Sequence, residues 1–423
     1  MKSIQTKYKT TNIPWLPTVP QDWDLVKTKF LFNERVQKGF DAEPLLAATQ
    51  SQGVIPKSLY ETNTVTAQKD FHLLKLVTVG DFVISLRSFQ GGIEYAYYRG
   101  IISPAYTVFF SKNTQEVNPQ FYRYFFKSLP FVKSLTLFVT GIREGQNIDY
   151  NEFKNSLLPV PPIEEQNAIA NYLDAQNEKI NLFIANKQKL IALLKEQKNA
   201  IITEIITTHN STKETNKSNW QNLKLKYLVS KVGGGVTPDG GATSYLDYGI
   251  TFLRSQNIYN DKIVLEDVAF ISEETHNSMS GSKVKVGDVL LNITGGSLGR
   301  CFYADENLGE ANVNQHISIV RPNRKKILTE FLHLLLISDL GQHQINFGQT
   351  GGNREGLTAF AIKNFKFPVP PLEEQMQTIN IIQEETAKID EVIIRTEKEI
   401  ELIKEYRQSI IAEVVTGKIK VAN

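Results

Sequence analysis

A long internal repeat constrains this chain more than any other feature. Residues 159–166, Pro-Val-Pro-Pro-Ile-Glu-Glu-Gln, return 209 residues later as residues 368–375, Pro-Val-Pro-Pro-Leu-Glu-Glu-Gln. The two copies stay in register without a gap as far as Thr207 and Thr416. Because a repeat of this length sets the architecture of a protein, we expect two halves, each a globular stretch followed by a long helical segment.

The helical segments carry matching apolar residues at intervals of three, four and seven. They are Leu173, Ile180, Ile184, Ile191, Leu194, Ile201 and Ile205 in the first copy, and Ile382, Ile389, Ile393, Ile400, Ile403, Ile410 and Val414 in the second. This spacing is typical of the seam of a coiled coil. Burying each such side chain is worth about 1.5–3 kcal/mol, so we predict that the two seams pair with each other in antiparallel fashion.

The globular stretches mix short strand-like runs with short helical patches. Residues 107–110 and 317–320 predict strands, and residues 121–126 and 331–337 predict buried helices. The predicted fold class is α+β: two globular domains separated by two long helices that form an antiparallel coiled coil, with a pseudo-two-fold relation between the halves. The expected boundaries are a first domain at 1–158, a central helical region at 159–208, a polar linker at 209–219, a second domain at 220–367 and a distal helical region at 368–423.

Composition places the chain among soluble globular proteins. Its 423 residues include 41% hydrophobic and 22% charged residues, enough for two or three domains with their own cores. The single cysteine, Cys301, excludes a disulfide framework within the chain and favours a cytoplasmic compartment. No stretch approaches the roughly 18 apolar residues of a membrane span. The net charge of +2 is only faintly basic, so composition neither predicts nor excludes a nucleic-acid partner.

The repeated Pro-Pro-x-Glu-Glu-Gln motif favours a structural interpretation over a catalytic one. Paired prolines preset the first turn of a helix, and Glu164, Glu165, Glu373 and Glu374 follow where the helix dipole favours negative charge. Adjacent residues on a helix do not face each other, so these carboxylates would make a poor acid–base pair. The six histidines are dispersed, and no metal site is predicted.

Arginines in polar segments rich in serine, glycine or glutamine are the candidate DNA-binding residues. They are Arg87, Arg143, Arg254, Arg300 and Arg354. Arginine reads guanine bidentately in the major groove, and recognition residues usually lie on loops. The alternative for each of them is an arginine that braces its own loop.

The duplicated Pro-x-Pro-Pro-x-Glu-Glu-Gln and long helix, with the entry segment 12–23, resemble the specificity subunit of type I restriction-modification systems. The resemblance implies two target-recognition domains that read a bipartite, asymmetric site in double-stranded DNA without catalysing a reaction. It also implies that two methyltransferase subunits dock on the helical regions that begin with Glu164, Glu165 and Gln166, and with Glu373, Glu374 and Gln375. Restriction and translocase subunits would complete the assembly. S-adenosylmethionine, ATP and magnesium would be used by these partners, with no cofactor on this chain.

Two other functions stay open from the residues alone. A self-sufficient DNA methyltransferase or nuclease is one, although the prolines of 161–162 are flanked by Val160 and Ile163 and so lack the Asn/Asp-Pro-Pro-Tyr/Phe pattern of a methyltransferase. A coiled-coil adaptor without a DNA role is the other.

Overall fold

The computed structural model describes residues 7–60, 70–86, 88–140, 147–208, 219–350 and 356–421. The chain divides into two compact units, one formed by 1–187 with 398–423 and the other by 188–397. Each unit therefore contains one globular domain and a part of each long helix. The α+β fold with two globular domains and two long helices, predicted from the sequence, is confirmed.

The first globular domain is built from short strands and short helices. Its strands are β1 (Tyr8–Ile13), β2 (Leu16–Pro20), β3 (Asp24–Lys27), β4 (Phe32–Arg35), β5 (Leu46–Thr49), β6 (Gly53–Pro56), β7 (Lys75–Val77), β8 (Phe82–Ile84), β9 (Glu94–Tyr95), β10 (Gly100–Ile102), β11 (Thr107–Ser111), β12 (Val139–Thr140), β13 (Asn147–Ile148) and β14 (Leu157–Val160). Its helices are α1 (Thr28–Leu31), α2 (Ser88–Gly91), α3 (Pro119–Phe125), α4 (Leu129–Ser134) and α5 (Tyr150–Phe153). The central sheet has the strand order β4-β11-β8-β9.

A long helix, α6 (Ile163–Thr208), leads to the second domain, which repeats this plan. Its strands are β15 (Gln221–Lys224), β16 (Val229–Gly234), β17 (Ile250–Leu253), β18 (Ala269–Ile271), β19 (Val289–Asn292), β20 (Cys301–Tyr303), β21 (Ala311–Val313), β22 (Ile317–Pro322), β23 (Gln349–Thr350), β24 (Gly356–Leu357) and β25 (Lys366–Val369). Its helices are α7 (Glu273–Ser278), α8 (Thr329–Ile337), α9 (Asp339–Phe347) and α10 (Ala359–Asn364), and the second long helix is α11 (Leu372–Val415).

The central sheets of the two domains match strand for strand. The order β16-β22-β19-β20 reproduces β4-β11-β8-β9, and Val289 pairs with Tyr303 as Phe82 pairs with Tyr95. Outside these sheets the domains differ. The second has a three-stranded sheet β18-β17-β21, whereas the first has the separate pairs β5-β6 and β7-β10. The repeat is therefore a common scaffold that carries different additions.

Each long helix begins at a tryptophan–glutamate contact. The indole N–H of Trp23 donates to Glu165 at 3.0 Å, and the indole N–H of Trp220 donates to Glu374 at 3.1 Å. Burial raises the pKa of Glu165, and the neighbouring Asp22 carboxylate adds to the rise. The second carboxylate of the repeated motif thus accepts a hydrogen bond from the start of its own domain.

The glutamine of the motif is buried and bonded in the same way in both copies. Gln166 Oε1 accepts the Asn118 N–H at 2.8 Å, and its Nε2 donates to the Glu116 and Pro161 carbonyls. Gln375 Oε1 accepts the Leu328 N–H at 2.8 Å, and its Nε2 donates to the Lys326 and Pro370 carbonyls. Because a buried amide must satisfy both its donors and its acceptor, this arrangement fixes where helices α3 and α8 begin relative to the long helices.

Helices α6 and α11 run antiparallel within each unit. In the first unit Arg407 donates to Asn181 at 2.7 Å, and Lys187 lies 2.6 Å from Glu399. The contacted residue number on α11 falls from 407 to 399 as that on α6 rises from 181 to 187, so the helices run in opposite directions. In the second unit the Lys198 ammonium lies 2.6 Å from Asp390.

The predicted seam is covered unevenly. Leu173, Ile180, Ile382, Ile389, Ile393, Ile400, Ile410 and Val414 are buried, whereas Ile184, Ile191, Leu194, Ile201, Ile205 and Ile403 are half-buried. Near its end α6 turns a neighbouring face inward. Ile202 and Ile206 enter the core of the second domain, and Ile205 packs against that core from its edge. The reason is that this end of the helix packs on a globular core as well as on another helix.

The two cores differ in chemistry. The core of the first unit is aromatic, with Phe32, Phe82, Phe109, Phe121, Phe125, Phe126, Phe131 and Phe153 in mutual contact. Leu335 and Leu336 take the positions in the second core that Phe125 and Phe126 take in the first. The same scaffold therefore accommodates two sets of core side chains that differ in shape.

We predict that Ile400→Ala destabilises the protein by about 2–5 kcal/mol, because it opens a cavity in the buried part of the seam. Ile191→Ala should cost less, because Ile191 is half-buried. Chemical unfolding of the purified chain measures both. Leu402→Ala on the exposed side of the same helix is the control. Equal losses for Ile400→Ala and Leu402→Ala would contradict the buried seam.

Candidate nucleic-acid interface

The structure describes two of the five candidate arginines. Arg254 and Arg300 lie in the second domain, whereas Arg87, Arg143 and Arg354 lie outside the described residues. For those three, a role in DNA binding stays a prediction from sequence.

Arg300 is exposed at the end of the loop that joins β19 to β20. Its guanidinium carbon lies 5.2 Å from the ring centroid of Tyr259, which is itself partly exposed. A guanidinium held over an aromatic ring loses little conformational freedom when it binds, and its five N–H donors match the edge of guanine or a phosphate. Arg300 is thus presented to solvent in an oriented form.

The backbone beneath this pair is tied together. The Asn260 side chain accepts the Cys301 N–H at 3.1 Å, joining the residue after Tyr259 to the residue after Arg300. His333 Nε2 lies 3.0 Å from the carbonyl oxygens of both Asn260 and Cys301, so this nitrogen is the donor in the neutral ring. Burial lowers the pKa of His333 to about 4. The histidine supports the Arg300–Tyr259 pair without carrying charge at neutral pH.

Arg254 has a different environment. Its guanidinium donates to the Asp267 carbonyl at 2.7 Å and lies 3.7 Å from the Asp267 carboxylate. The ring of Tyr245 lies 6.0 Å away, and Nε is buried without a hydrogen-bond partner among the described residues. These contacts brace the loop from Arg254 to Asp267, and base reading by Arg254 stays a prediction.

A set of polar side chains that the sequence analysis did not select links three loops of the second domain. Thr294 Oγ1 lies 2.6 Å from His316 Nδ1, and His316 Nε2 lies 3.1 Å from the amide nitrogen of Gln315. The Thr237 hydroxyl donates to Gln315 Oε1. We call Thr237, Thr294, Gln315 and His316 the polar loop cluster. Its members are far apart in sequence, and no local pattern marks them.

The loop around Thr294 also meets the hairpin β23–β24. The Leu357 N–H donates to the Ile293 carbonyl at 2.9 Å, and Thr294 forms a β-bridge with Gly356. Gly295 has a left-handed φ of +72°, and a Cβ added there or at Gly296 would meet open space. The loop therefore has room for a ligand to approach its backbone. Gly233 and Gly234 lie in strand β16.

A cleft elsewhere in the second domain has the opposite character. Its volume is about 400 Å³, and Asp305, Glu306 and Glu330 line it together with Arg324. An excess of carboxylates repels phosphate. This cleft is therefore a poorer DNA site than the surface that carries Arg300 and the polar loop cluster.

Within the described residues no group of histidine, cysteine or acidic side chains could hold a metal ion. The same part of the chain has no helix long and apolar enough to cross a membrane.

Comparisons with known proteins point in one direction. The family model described as type I restriction modification DNA specificity domain matches residues 26–196 and 217–402. The chain is 26% identical over 429 residues to the type I restriction enzyme MjaVIII specificity subunit of Methanocaldococcus jannaschii, covering 96% of this chain and 95% of that protein. It is 24% identical over 315 residues to the EcoBI specificity subunit of Escherichia coli, covering 70% and 65%.

Among solved structures, a chain from a study of complex assembly and conformational transition of the type I R-M system is similar over 95% of this chain and 99% of its own. The TM-score is 0.58 at 15% sequence identity. At that identity the likeness shows the fold alone.

We predict a loss of stability between pH 6.5 and about 4 that depends on His333. Because the folded state lowers the pKa of His333 below its ordinary value, the unfolded chain takes up a proton first as the pH falls. The stabilisation from neutral His333 is fully present above pH 6.5. Its complete loss lowers the free energy of unfolding by about 3 kcal/mol. His333→Gln keeps a donor for the two carbonyls but cannot titrate, so its unfolding free energy should change less between pH 7.5 and 5. Identical pH profiles for the two proteins would contradict this role.

Proposed function

The chain belongs to the type I restriction-modification DNA specificity family, and on that premise we propose that its two domains each read one half of a bipartite, asymmetric DNA site. It is a sequence-specificity subunit and not an enzyme. Membership in such a complex implies DNA, methyltransferase and restriction subunits as partners in general. The self-sufficient enzyme and the adaptor without a DNA role are not favoured.

The observation that carries the proposal is a scaffold built twice with different additions. The matched four-stranded sheets, the tryptophan–glutamate contacts and the buried glutamines recur in both units. The elements around them differ, as β5-β6 and β7-β10 differ from β18-β17-β21. A constant frame with variable loops suits two readers of different sequences, since recognition residues concentrate on loops held by a rigid scaffold.

For the second domain we assign base reading to Arg300 and the polar loop cluster. Arg300 offers an oriented bidentate donor that suits guanine. His316, Gln315 and Thr294 offer both donors and acceptors beside a glycine turn open to solvent. Arg87, Arg143, Arg254 and Arg354 remain further candidates.

We assign spacing and assembly to the helical regions 159–208 and 368–423. Two readers on one face of DNA are expected about one helical turn apart, roughly 34–36 Å. Glu165, Gln166, Glu374 and Gln375 are used in contacts within their own units, whereas Glu164 and Glu373 are exposed. These two glutamates are therefore the members of the motif available to two methyltransferase subunits. The partners would use S-adenosylmethionine, ATP and magnesium.

Co-purification with the methyltransferase subunits of its own system, followed by sequencing of methylated bases in DNA treated with the complex, tests the proposal. We expect one motif with two specified parts and an unspecified spacer. The chain alone should transfer no methyl group. Methylation without sequence preference, or at a single uninterrupted motif, would contradict the two-reader proposal.

We predict that Arg300→Ala relaxes the preference for one base in one half-site by about 1–3 kcal/mol, the value of a bidentate contact. The complex should still assemble, because the side chain is exposed. Binding measured on substrates that differ at single base pairs, at fixed salt, provides the comparison.

Arg254→Ala is the matched variant from the same domain. It should lower the unfolding free energy by about 1–2 kcal/mol through loss of its tie to Asp267. If Arg254→Ala relaxed the motif and Arg300→Ala did not, the assignment of the two arginines would be reversed.

A further inference from the structure

The first domain contains an ion pair between a buried carboxylate and a half-buried ammonium, which its counterpart lacks. The Lys127 ammonium lies 2.5 Å from Glu94 Oε1, and the Glu94 side chain is 1% exposed. In the repeated sheet Glu94 lies immediately before Tyr95, as Phe302 lies immediately before Tyr303.

Lys127 also has an apolar counterpart. It precedes Ser128, whose hydroxyl donates to the Phe125 carbonyl at 2.7 Å. Ile337 precedes Ser338, whose hydroxyl donates to the Leu335 carbonyl at 2.7 Å. The second domain therefore fills the places of the ion pair with an isoleucine and a phenylalanine.

The pair is a costly feature of the first domain. Burial raises the pKa of Glu94 to about 7 and lowers that of Lys127. Glu94 Oε2 is buried without a hydrogen-bond partner among the described residues. Removing two charges from water often costs as much as their attraction returns, and apolar residues of similar volume are often at least as stabilising. Stability of the scaffold does not explain the pair.

Lys127 joins two loops. Besides Glu94, its ammonium donates to the Gly91 carbonyl at 2.8 Å and to the Gln50 carbonyl at 3.1 Å, which uses all three of its donors. Gln50 begins the turn between β5 and β6, and Gly91 ends α2. A Cβ added to Gly91 would lie 2.9 Å from Gln50 Cγ, so the two loops are in direct contact.

The second domain holds the corresponding loop with a neutral side chain. Gly299 precedes Tyr303 by the same number of residues as Gly91 precedes Tyr95. Its carbonyl accepts a hydrogen bond from the Gln342 amide at 3.0 Å. A side chain therefore donates to this glycine carbonyl in both units. In the second unit the donor is the neutral Gln342, whereas in the first it is the charged Lys127, which also reaches a second loop.

The loops that Lys127 joins present amide side chains to solvent. Gln52 is exposed on one turn, and Gln90 is exposed on α2. A glutamine amide carries a donor and an acceptor that match the N6 and N7 atoms of adenine in the major groove. Lys127 therefore holds together two loops that each carry an exposed glutamine.

We propose that Lys127 is a positioning residue that holds the turn 50–52 and helix α2 together as one base-reading edge for adenine in the half-site of the first domain. Glu94 accepts a hydrogen bond from the ammonium, and Gln52 and Gln90 make the contacts to bases. This inference rests on the proposed function and adds to it the residues that read in the first domain.

The test uses the complete complex with its methyltransferase subunits. The double variant Lys127→Ile with Glu94→Phe installs the pair found in the second domain. Its melting temperature should equal or exceed that of the wild type, while discrimination at one half-site falls about tenfold to a hundredfold and the other half-site is unchanged. Gln342→Val, which installs the residue found at Val132, is the matched variant and should affect only the other half-site.

Gln52→Ala and Gln90→Ala change exposed side chains, so they decide the matter even if the double variant fails to fold. Each should reduce base discrimination in the same half-site as the double variant does, at a position specified as adenine. An unchanged motif in these variants, or equal losses at both half-sites, would overturn the positioning role. A wild-type complex that methylates no bipartite sequence would overturn the proposed function itself, which makes the two failures distinguishable.

Discussion

The burial of one apolar seam between α6 and α11 is the constraint on which both units depend. In the first unit Ile169 and Leu173 of α6 join Ile410 and Val414 of α11 in the aromatic core. In the second unit Ile202 and Ile206 join Ile379 and Ile382 in the aliphatic core. Each domain core therefore includes residues of both long helices.

The repeated Glu-Glu-Gln motif connects that seam to the sheets. The second glutamate accepts from a tryptophan at the start of its domain, and the glutamine satisfies backbone groups ahead of α3 or α8. These hydrogen bonds are buried or partly buried, so each would leave an unsatisfied group if its partner moved. The frame is consequently kept constant, while the loops beyond it are free to differ. That division suits a protein whose two halves must recognise different sequences.

Much of the frame could be predicted from sequence, and little of the candidate interface. The helices and central strands follow from local periodicity, which neighbouring residues carry. Arg254 and Arg300 are both candidates from the sequence, and only the structure separates one tied to Asp267 from one held over Tyr259. Lys127 follows Phe125-Phe126 in an otherwise apolar run, and its importance appears only when the structure shows that Ile337 occupies the same place.

The sequence by itself determined the 209-residue period, the seams except at the end of α6, and the helix starts, because spacing and proline placement act over a few turns of helix. The tertiary structure alone decided which polar groups meet. Thr237, Thr294 and His316 come together through three loops, and Lys127 meets Gln50 across a long stretch of chain. Such contacts depend on how strands are ordered in a sheet, and side-chain chemistry along the chain does not encode that order locally.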